Sequence, residues 1–360
     1  MTDFELDFRT DPYSMTSEVK DSVLTERLSF LTEYHRVRCA EYGRILAALG
    51  YAPDSAKHYS ELPFLPVGIF KKLRLSSLEE GESFKSVTSS GTTGQATSQI
   101  ILDGETRTLQ QLALVSIGSS FLGKHRLPML VIDSEATVKK RDHFSARTSG
   151  ILGFSLFGRD RTFALGEDMT LDIDVVTSFL EKYGKDDFLI FGFTFMVWQN
   201  LCKALEEIGK KPDMSGGILI HGGGWKKLIS EAVSREEFKR RLKDICGIDH
   251  IYDYYGMAEQ TGSIFMECEC GHMHVSDFSA VLMRRPSDFS VCEVGEKGLI
   301  QVMSVLPRSY PGQSILTEDE GVLLGVDDCP CGRKGAYFSV IGRIKNAELR
   351  GCSDIYAARI

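Results

Sequence analysis

The sequence lacks several features that would each place it in a class. None of its apolar runs reaches the ~18–20 residues that cross a bilayer. It has no excess of positive charge, because 42 Lys and Arg side chains stand against 50 Asp and Glu, a net charge of −8. It also lacks internal repeats and low-complexity tracts. These absences argue against a membrane-spanning chain and against a protein whose main surface binds nucleic acid.

The chain also has neither a leader-like start nor a disulfide-like cysteine pattern. Its first residues, MTDFELDFRTD, contain no basic segment and no apolar segment of a signal peptide. Its nine cysteines are odd in number and unevenly spaced. We therefore expect a mature, reduced, cytoplasmic protein. With 42% apolar and 26% charged residues, its 360 residues suit a large globular α/β domain with subdomains.

Short apolar runs alternate with helical patterns through most of the chain. The runs each stop at a glycine or a polar residue, as buried parallel strands do, and they occupy 129–133, 188–193 and 217–224. Apolar residues with helical spacing recur over 16–49, 105–117, 170–184, 196–209 and 226–244. After about residue 264 the sequence changes to short strand-like runs, turns and cysteines. The pattern predicts an α/β fold with a parallel or mixed sheet, whose ligands lie at the carboxyl ends of the strands.

A loop rich in glycine and hydroxyl groups, SSGTTG, occupies 89–94. Glycines let successive backbone N–H groups form a nest for an anion, and Ser and Thr hydroxyls add donors. The loop is not a Walker P-loop, because no G-x4-G-K-[ST] is present. Taken alone, it fits a flexible surface loop equally well.

Further motifs follow this loop in a fixed order. A glycine turn lies at 222–224, YGMAE at 255–259, TED at 317–319 and GR at 342–343. The ordered set resembles the adenylate-forming superfamily of acyl and aryl ligases, over residues ~85–345. The resemblance implies the N-terminal core of that superfamily, with mixed or parallel sheets, helices on both faces and a small strand-rich subdomain.

The resemblance also assigns roles to single residues. The glycine-rich loop would hold the phosphates of ATP, the glycine turn would line the adenine, Tyr255 would stack on the base and Glu259 would bind Mg²⁺. Asp319 would hold the ribose hydroxyls, as one carboxylate acceptor can, and Arg343 would lie at the hinge. The nucleotide site so implied comprises Ser89, Ser90, Gly91, Thr92, Thr93, Gly94, Gly222, Gly223, Gly224, Tyr255, Gly256, Glu259, Asp319, Arg343 and Lys345.

Two positions depart from the superfamily's pattern. Gln95 stands near the place where a Lys often follows the loop, and Ala258 replaces the Thr or Ser that precedes the Glu. Taken singly, Glu259 also fits a capping carboxylate and Asp319 a turn residue. It is the order of the whole set that favours the nucleotide site.

Within the superfamily, the sequence resembles the acyl-protein synthetases of bacterial luminescence fatty-acid reductase complexes. The likeness is carried by stretches at 64–77, 145–158, 219–227, 314–321 and 348–354. It implies ATP-dependent activation of a long-chain fatty acid to acyl-AMP, transfer to a cysteine as a thioester and delivery to a partner reductase, with an acyl transferase as a further subunit. Two alternatives stay open: a coenzyme A ligase of the phenylacetate type, and a non-catalytic subunit of such a complex.

The chain ends 17 residues after Arg343, where full-length superfamily members continue for roughly a hundred residues. We therefore expect an adenylation core over 1–341, with its strand-rich subdomain at about 264–341, and a truncated hinge and tail over 342–360 without the C-terminal domain. Cys352 in that tail matches the acyl-accepting cysteine of the synthetases, and a thiolate is the nucleophile that such a transfer needs. An exposed thiol without a role is the alternative.

Two close cysteine pairs suggest a structural zinc site. CECGHMH at 268–274 and CPCG at 329–332 are separated by about sixty residues. Thiolates and imidazoles of this kind hold tetrahedral zinc, and four protein ligands leave no position for catalysis. We expect Cys329, Cys331 and Cys268 as ligands, with Cys270 or His274 as the fourth. Free thiols on turns are the alternative.

The remaining predictions concern the acyl pocket and the other cysteines. Phe193, in the aromatic run at 191–198, is expected to line the acyl pocket, with core packing as the alternative. His221, beside the glycine turn, is expected to line the acyl or nucleotide pocket, with a hydrogen-bonded structural histidine as the alternative. Buried structural thiols are the simplest interpretation of Cys39, Cys202, Cys246 and Cys292.

Overall fold

A computed structural model describes residues 5–79, 81–82, 85–88, 98–139, 146–225 and 231–344. Its α-helices are α1 (Ser17–Arg38), α2 (Ala40–Ala48), α3 (Gly104–Leu122), α4 (Ala136–Lys139), α5 (Ala146–Phe154), α6 (Ile173–Tyr183), α7 (Thr194–Met196), α8 (Ala204–Glu207) and α9 (Arg235–Cys246), and a π-helix, Val197–Lys203, connects α7 to α8. Its strands are β1 (Leu65–Pro66), β2 (Lys85–Thr88), β3 (Gln99–Leu102), β4 (Leu127–Ser134), β5 (Gly158–Leu165), β6 (Phe188–Phe193), β7 (Gly217–Gly222), β8 (His250–Tyr255), β9 (Phe265–Glu267), β10 (Met273–His274), β11 (Ser279–Arg284), β12 (Lys297–Ser304), β13 (Ser314–Val326) and β14 (Ala336–Arg343).

The chain forms two compact units. The first unit contains the described residues up to 88, 98–120 and 255–344, and the second contains the described residues of 121–254. In the described part of the chain, no helix combines the length and the apolar character needed to cross a membrane. The division into a core of 1–341 and a tail of 342–360 stays a prediction.

The first unit is built on antiparallel strands in the order β11-β12-β13-β14-β10-β9, with β1 parallel to β13. A separate antiparallel pair is formed by β2 and β3. The sequence predicted short strands and turns after about residue 264. The structure has the strands β9 to β14 there, which are short or contain bulges and are joined by turns. The core of this unit is continuous and includes the fully buried rings of Tyr42, Phe70, Phe265, Tyr310 and Phe338.

The helix predicted over 16–49 is two helices, which corrects the sequence analysis. Cys39 separates them with an extended backbone (φ −112°, ψ 103°). The sequence has no proline there to mark the break. The start of α2 lies close to the end of α1: a Cβ on Gly43 would be 2.8 Å from the carbonyl oxygen of Arg36, so glycine permits the approach. The break lets Tyr42 and Leu46 reach the core.

The second unit is a parallel sheet with the strand order β8-β7-β6-β4-β5. The three apolar runs predicted as strands are β4, β6 and β7, and β6 is buried along its whole length. If the five strands are numbered 1 to 5 in chain order from β4 to β8, their order in the sheet, read from β5, is 2-1-3-4-5. The direction of winding therefore reverses at β4. Open sheets of this topology bind ligands at the carboxyl ends of the strands beside the reversal, which are here Ser134 of β4 and Phe193 of β6.

The helix predicted over 226–244 begins later than expected. The hydroxyl of Ser234 accepts a hydrogen bond from the Glu237 N–H at 3.2 Å and caps α9 at Arg235. The helix ends at Cys246, where Gly247 has φ 76° and closes it. Residues 226–230 lie outside the described ranges.

Candidate functional site

Several predicted site residues lie outside the described part of the chain. They are the loop residues Ser89, Ser90, Gly91, Thr92, Thr93 and Gly94, together with Lys345 and Cys352. Their roles stay predictions. The remaining candidates fall in the two units, and each unit is described by itself.

In the first unit, three candidate nucleotide residues meet around one carboxylate. The hydroxyl of Tyr255, the last residue of β8, donates a hydrogen bond of 2.8 Å to Oδ2 of Asp319. Asp319 in β13 and Arg343 in β14 are opposite each other in the strand register, and Nε of Arg343 lies 3.6 Å from Oδ1 of Asp319. Burial, with the nearby Asp319, raises the pKa of Tyr255 well above its usual value. The phenol therefore stays protonated and acts as a donor.

The turn that carries Glu259 is held firmly by its neighbours. Ala258–Gln260 form a single 3-10 turn. The Tyr310 hydroxyl donates to the carbonyl oxygen of Glu259 at 2.7 Å, and the Gln260 amide donates to the carbonyl of Gly312 at 2.7 Å. The carboxyl group of Glu259 is buried, and this burial raises its pKa. A divalent cation bound at this carboxyl group would favour its ionised form, and the role of Glu259 as a Mg²⁺ ligand stays a prediction.

The second unit contains the predicted adenine turn and acyl residues. His221 on β7 is buried, with Nδ1 2.9 Å from the Thr194 hydroxyl and 3.6 Å from Oδ1 of Asp253. Burial lowers the pKa of His221 to about 3, so the imidazole is neutral at pH 7. Sequence reasoning missed Thr194 and Asp253, although both stand at or near the carboxyl ends of strands.

The glycine turn is tight against aromatic rings. A Cβ on Gly222 would overlap the ring of Tyr254, and a Cβ on Gly223, which has φ 74°, would lie 3.1 Å from Phe193. A Cβ on Gly224 would have no atom of the described residues within 4 Å. The structure therefore gives a physical reason for the first two glycines. It also places Phe193 against the turn, and the role of Phe193 in an acyl pocket stays a prediction.

A buried ion pair lies at the reversal point of the second unit, and sequence reasoning missed it. Arg147, in the first turn of α5, donates two hydrogen bonds to the carboxylate of Asp133 near the end of β4. Asp133 also accepts from the Thr137 hydroxyl at 2.7 Å and from the backbone N–H of Ser134 at 2.6 Å. Both charged side chains are almost fully buried. The signal in the sequence was Asp133, a charged residue that directly follows the apolar run of residues 129–132.

The first unit also brings a cysteine–histidine group together. The ligand atoms of Cys268, His274, Cys329 and Cys331 all lie within 4.8 Å of one another. Sγ of Cys268 is 3.9 Å from Sγ of Cys329, and Sγ of Cys331 is 3.3 Å from Nε2 of His274. Cys270 is exposed and lies outside this group. Cys39, Cys202, Cys246 and Cys292 are buried, as predicted.

The donor set of this group fits zinc. In a tetrahedral site with Zn–S bonds of ~2.3 Å, two sulfur ligands lie about 3.8 Å apart, which is close to the 3.9 Å between Sγ of Cys268 and Sγ of Cys329. Burial lowers the pKa of His274 to about 4, so its imidazole is in the neutral form that binds metal. Its ring also stacks on Tyr337, with 5.7 Å between ring centroids.

Comparison with solved structures supports the fold. The chain aligns with 2-hydroxyisobutyryl-CoA ligase in an open conformation, with a TM-score of 0.72 and 15% identity, over 95% of this chain and 81% of that chain. A second structure of that ligase, in its thioesterification state, gives a TM-score of 0.72 and 16% identity over 95% of this chain and 74% of that chain. The predicted α/β fold of the adenylate-forming enzymes is thereby confirmed.

Comparison of sequences is more specific. Two relatives are named long-chain-fatty-acid–luciferin-component ligase: one from Aliivibrio fischeri is 24% identical, over 97% of this chain and 92% of its own length. The other, from Vibrio harveyi, is 22% identical, over 97% of this chain and 91% of its own length. The family model described as acyl-protein synthetase, LuxE, matches residues 3–360. The match spans nearly the whole chain, which confirms the resemblance found in the sequence: this protein belongs to the LuxE family of acyl-protein synthetases and is an acyl-protein ligase.

Proposed function

We propose that this ligase activates a long-chain fatty acid with ATP and passes the acyl group to its own Cys352. In the first step a carboxylate oxygen attacks the α-phosphorus of ATP, forming acyl-AMP as the bond to pyrophosphate breaks. In the second step the Cys352 thiolate attacks the acyl carbon and AMP leaves, which gives a thioester. Both steps balance without an oxidant or a reductant.

The observation that carries this proposal is the meeting of Tyr255, Asp319 and Arg343 in the first unit. The three residues are far apart in sequence, and sequence reasoning had assigned each of them to the nucleotide. The Asp319 carboxylate is an acceptor suited to the two ribose hydroxyls, and the Arg343 guanidinium supplies positive charge beside it. Glu259 would hold Mg²⁺, whose role is to neutralise phosphate charge in the first step.

We also propose the partners and the setting of the reaction. The two relatives are named as ligases of a luciferin component. A partner acyl reductase would consume the thioester and make the aldehyde. An acyl transferase would supply the acid. A cytoplasmic enzyme fits this role. Phe193 and His221 would line the acyl pocket, where a neutral imidazole is compatible with an apolar chain.

We further propose a structural zinc ion held by Cys268, His274, Cys329 and Cys331. The donor set and its spacings support this proposal. With four protein ligands the ion has no open position, so its effect would be on the stability of the first unit and not on the chemistry.

The activation step is tested by ATP–pyrophosphate exchange with tetradecanoate as the acid. We expect acid-dependent exchange in the wild type and comparable exchange in Cys352→Ala, because the first step does not use the thiol. Asp319→Ala should reduce exchange at low ATP by at least about tenfold, since it removes hydrogen bonds to a charged acceptor worth ~1.5–3 kcal/mol. Absence of exchange in the wild type, with ATP bound, would contradict the activation step and favour a non-catalytic subunit.

A further inference from the structure

We propose that the Tyr255 hydroxyl is a positioning group that sets the enzyme's selectivity for a ribonucleotide, by fixing the Asp319 carboxylate in the orientation that receives the ribose. This inference rests on the proposed function, because it assumes that Asp319 faces the nucleotide. It gives Tyr255 a role through its hydroxyl, in addition to the ring stacking predicted from the sequence.

The ring of Tyr255 is anchored on the core side. It packs against Phe265 and Phe338, with ring centroids 6.0 Å and 6.3 Å away. Both of these rings are fully or almost fully buried. A ring held in this way has little freedom to swing, so the position of its hydroxyl is fixed. The hydroxyl donates to Oδ2 of Asp319 at 2.8 Å, and the side chain of Thr317 is a second hydrogen-bond neighbour.

The backbone beneath Asp319 is fixed independently of its side chain. The N–H of Asp319 donates to the Thr317 hydroxyl at 3.1 Å, and that hydroxyl donates to the carbonyl of Ile300 at 2.8 Å. These backbone contacts do not restrict the rotation of the Asp319 carboxylate about its side-chain bonds. The Tyr255 hydroxyl and the Arg343 guanidinium hold this group from two sides, one at each oxygen.

The carboxylate keeps capacity for a ligand. An ionised Asp has about four lone-pair sites, of which one is taken by Tyr255 and one faces Arg343. With respect to the described residues, two sites remain, one on each oxygen, which is the number that a ribose with two vicinal hydroxyls requires. The Asp319 side chain is 19% exposed, so these sites are accessible. A carboxylate that rotates freely would offer the same acceptors with worse geometry and a larger entropic cost.

The test is a calorimetric titration of the whole chain with Mg²⁺–ATP and with Mg²⁺–2′-deoxyATP, for the wild type and for Tyr255→Phe. We expect the wild type to bind ATP more tightly than 2′-deoxyATP, and Tyr255→Phe to reduce this preference about five- to tenfold. The loss should be larger for ATP than for the deoxynucleotide, because ATP presents two hydroxyls to the carboxylate and 2′-deoxyATP presents one. In an Asp319→Asn background, Tyr255→Phe should change the preference by less than about twofold, because the group it positions is no longer a carboxylate.

Tyr42→Phe is the matched control. It removes a buried phenol hydroxyl elsewhere in the same unit, where the Tyr42 oxygen accepts a hydrogen bond from Gln313 at 2.8 Å. A loss of general stability would affect both variants and both nucleotides alike, whereas loss of the positioning of Asp319 lowers the affinity for ATP more than the affinity for 2′-deoxyATP. A wild-type preference retained in Tyr255→Phe overturns the inference, and so does a wild type that does not distinguish the two nucleotides. Because binding is measured without turnover, failure of the proposed chemistry is seen separately, as ATP binding without exchange.

Discussion

Cys329→Ser is expected to abolish metal binding by the first unit, whereas the wild type is expected to hold about one zinc ion per chain. Sγ of Cys329 lies 3.9 Å from Sγ of Cys268, inside a group whose ligand atoms are all within 4.8 Å of one another. Removing one of four ligands opens the site and replaces a thiolate by a poor zinc ligand. Metal content is measured by mass spectrometry of the purified proteins.

The loss of zinc should also destabilise the protein. Structural zinc contributes ~10–16 kcal/mol of apparent binding free energy in zinc-finger peptides, which do not fold without it. The first unit has a large core of its own, so we expect a smaller decrease in the free energy of unfolding, at least about 3 kcal/mol, measured by urea denaturation and circular dichroism.

Cys270→Ser is the control for this experiment. Cys270 lies in the same short segment as Cys268, but it is exposed and outside the group. It should keep a full equivalent of zinc and wild-type stability. The proposal is contradicted if the wild type carries less than about a tenth of an equivalent, or if Cys270→Ser loses the metal while Cys329→Ser retains it.

Asp133→Ala is expected to lower the free energy of unfolding of the second unit by about 3–5 kcal/mol. The change leaves the guanidinium of Arg147 buried without the carboxylate that now accepts two of its hydrogen bonds. Removal of the carboxylate that accepts two hydrogen bonds from a buried charge is among the most destabilising results of a single substitution. The two tryptophans of the chain, Trp198 and Trp225, both lie in the second unit, so their fluorescence during urea denaturation reports on this unit.

Two further variants separate the cost of an unpaired charge from the value of the pair. The double replacement Asp133→Leu with Arg147→Met should recover most of the loss, because apolar residues of similar size often replace a buried ion pair without penalty. Lys139→Ala breaks the exposed pair with Glu135 and should change the free energy of unfolding by less than about 0.5 kcal/mol. A loss in Asp133→Ala no larger than that in Lys139→Ala would contradict this account of the ion pair.

The parallel strands were predictable from the sequence because they are buried on both faces. The runs at 129–133, 188–193 and 217–224 each begin with four or more consecutive apolar or glycine residues, and they correspond to β4, β6 and β7. By contrast β5, Gly158–Leu165, escaped prediction. It is the outer strand of the parallel order, and Arg159, Asp160 and Arg161 near its start are exposed. An edge strand of this kind has no continuous apolar run to find.

The candidate site was predictable in its residue types but not in its contacts. The sequence left Cys270 and His274 as alternative zinc ligands, since spacing alone does not separate them. In the fold, Gly271 makes a turn with φ 80°, and His274 then pairs with Tyr337 across β10 and β14, which brings its ring to the cysteines. The bond from Tyr255 to Asp319 depends in the same way on strand register between residues distant in the chain.

The central claim is that the acyl group passes from acyl-AMP to the enzyme's own Cys352. The most direct test is the mass of the intact protein after incubation with tetradecanoate, ATP and Mg²⁺. The account predicts that the wild type gains the mass of one acyl group, that hydroxylamine removes it as expected for a thioester, and that Cys352→Ala gains none while it retains pyrophosphate exchange. An adduct that persists in Cys352→Ala, or release of free acyl-coenzyme A without any protein adduct when coenzyme A is added, would contradict it.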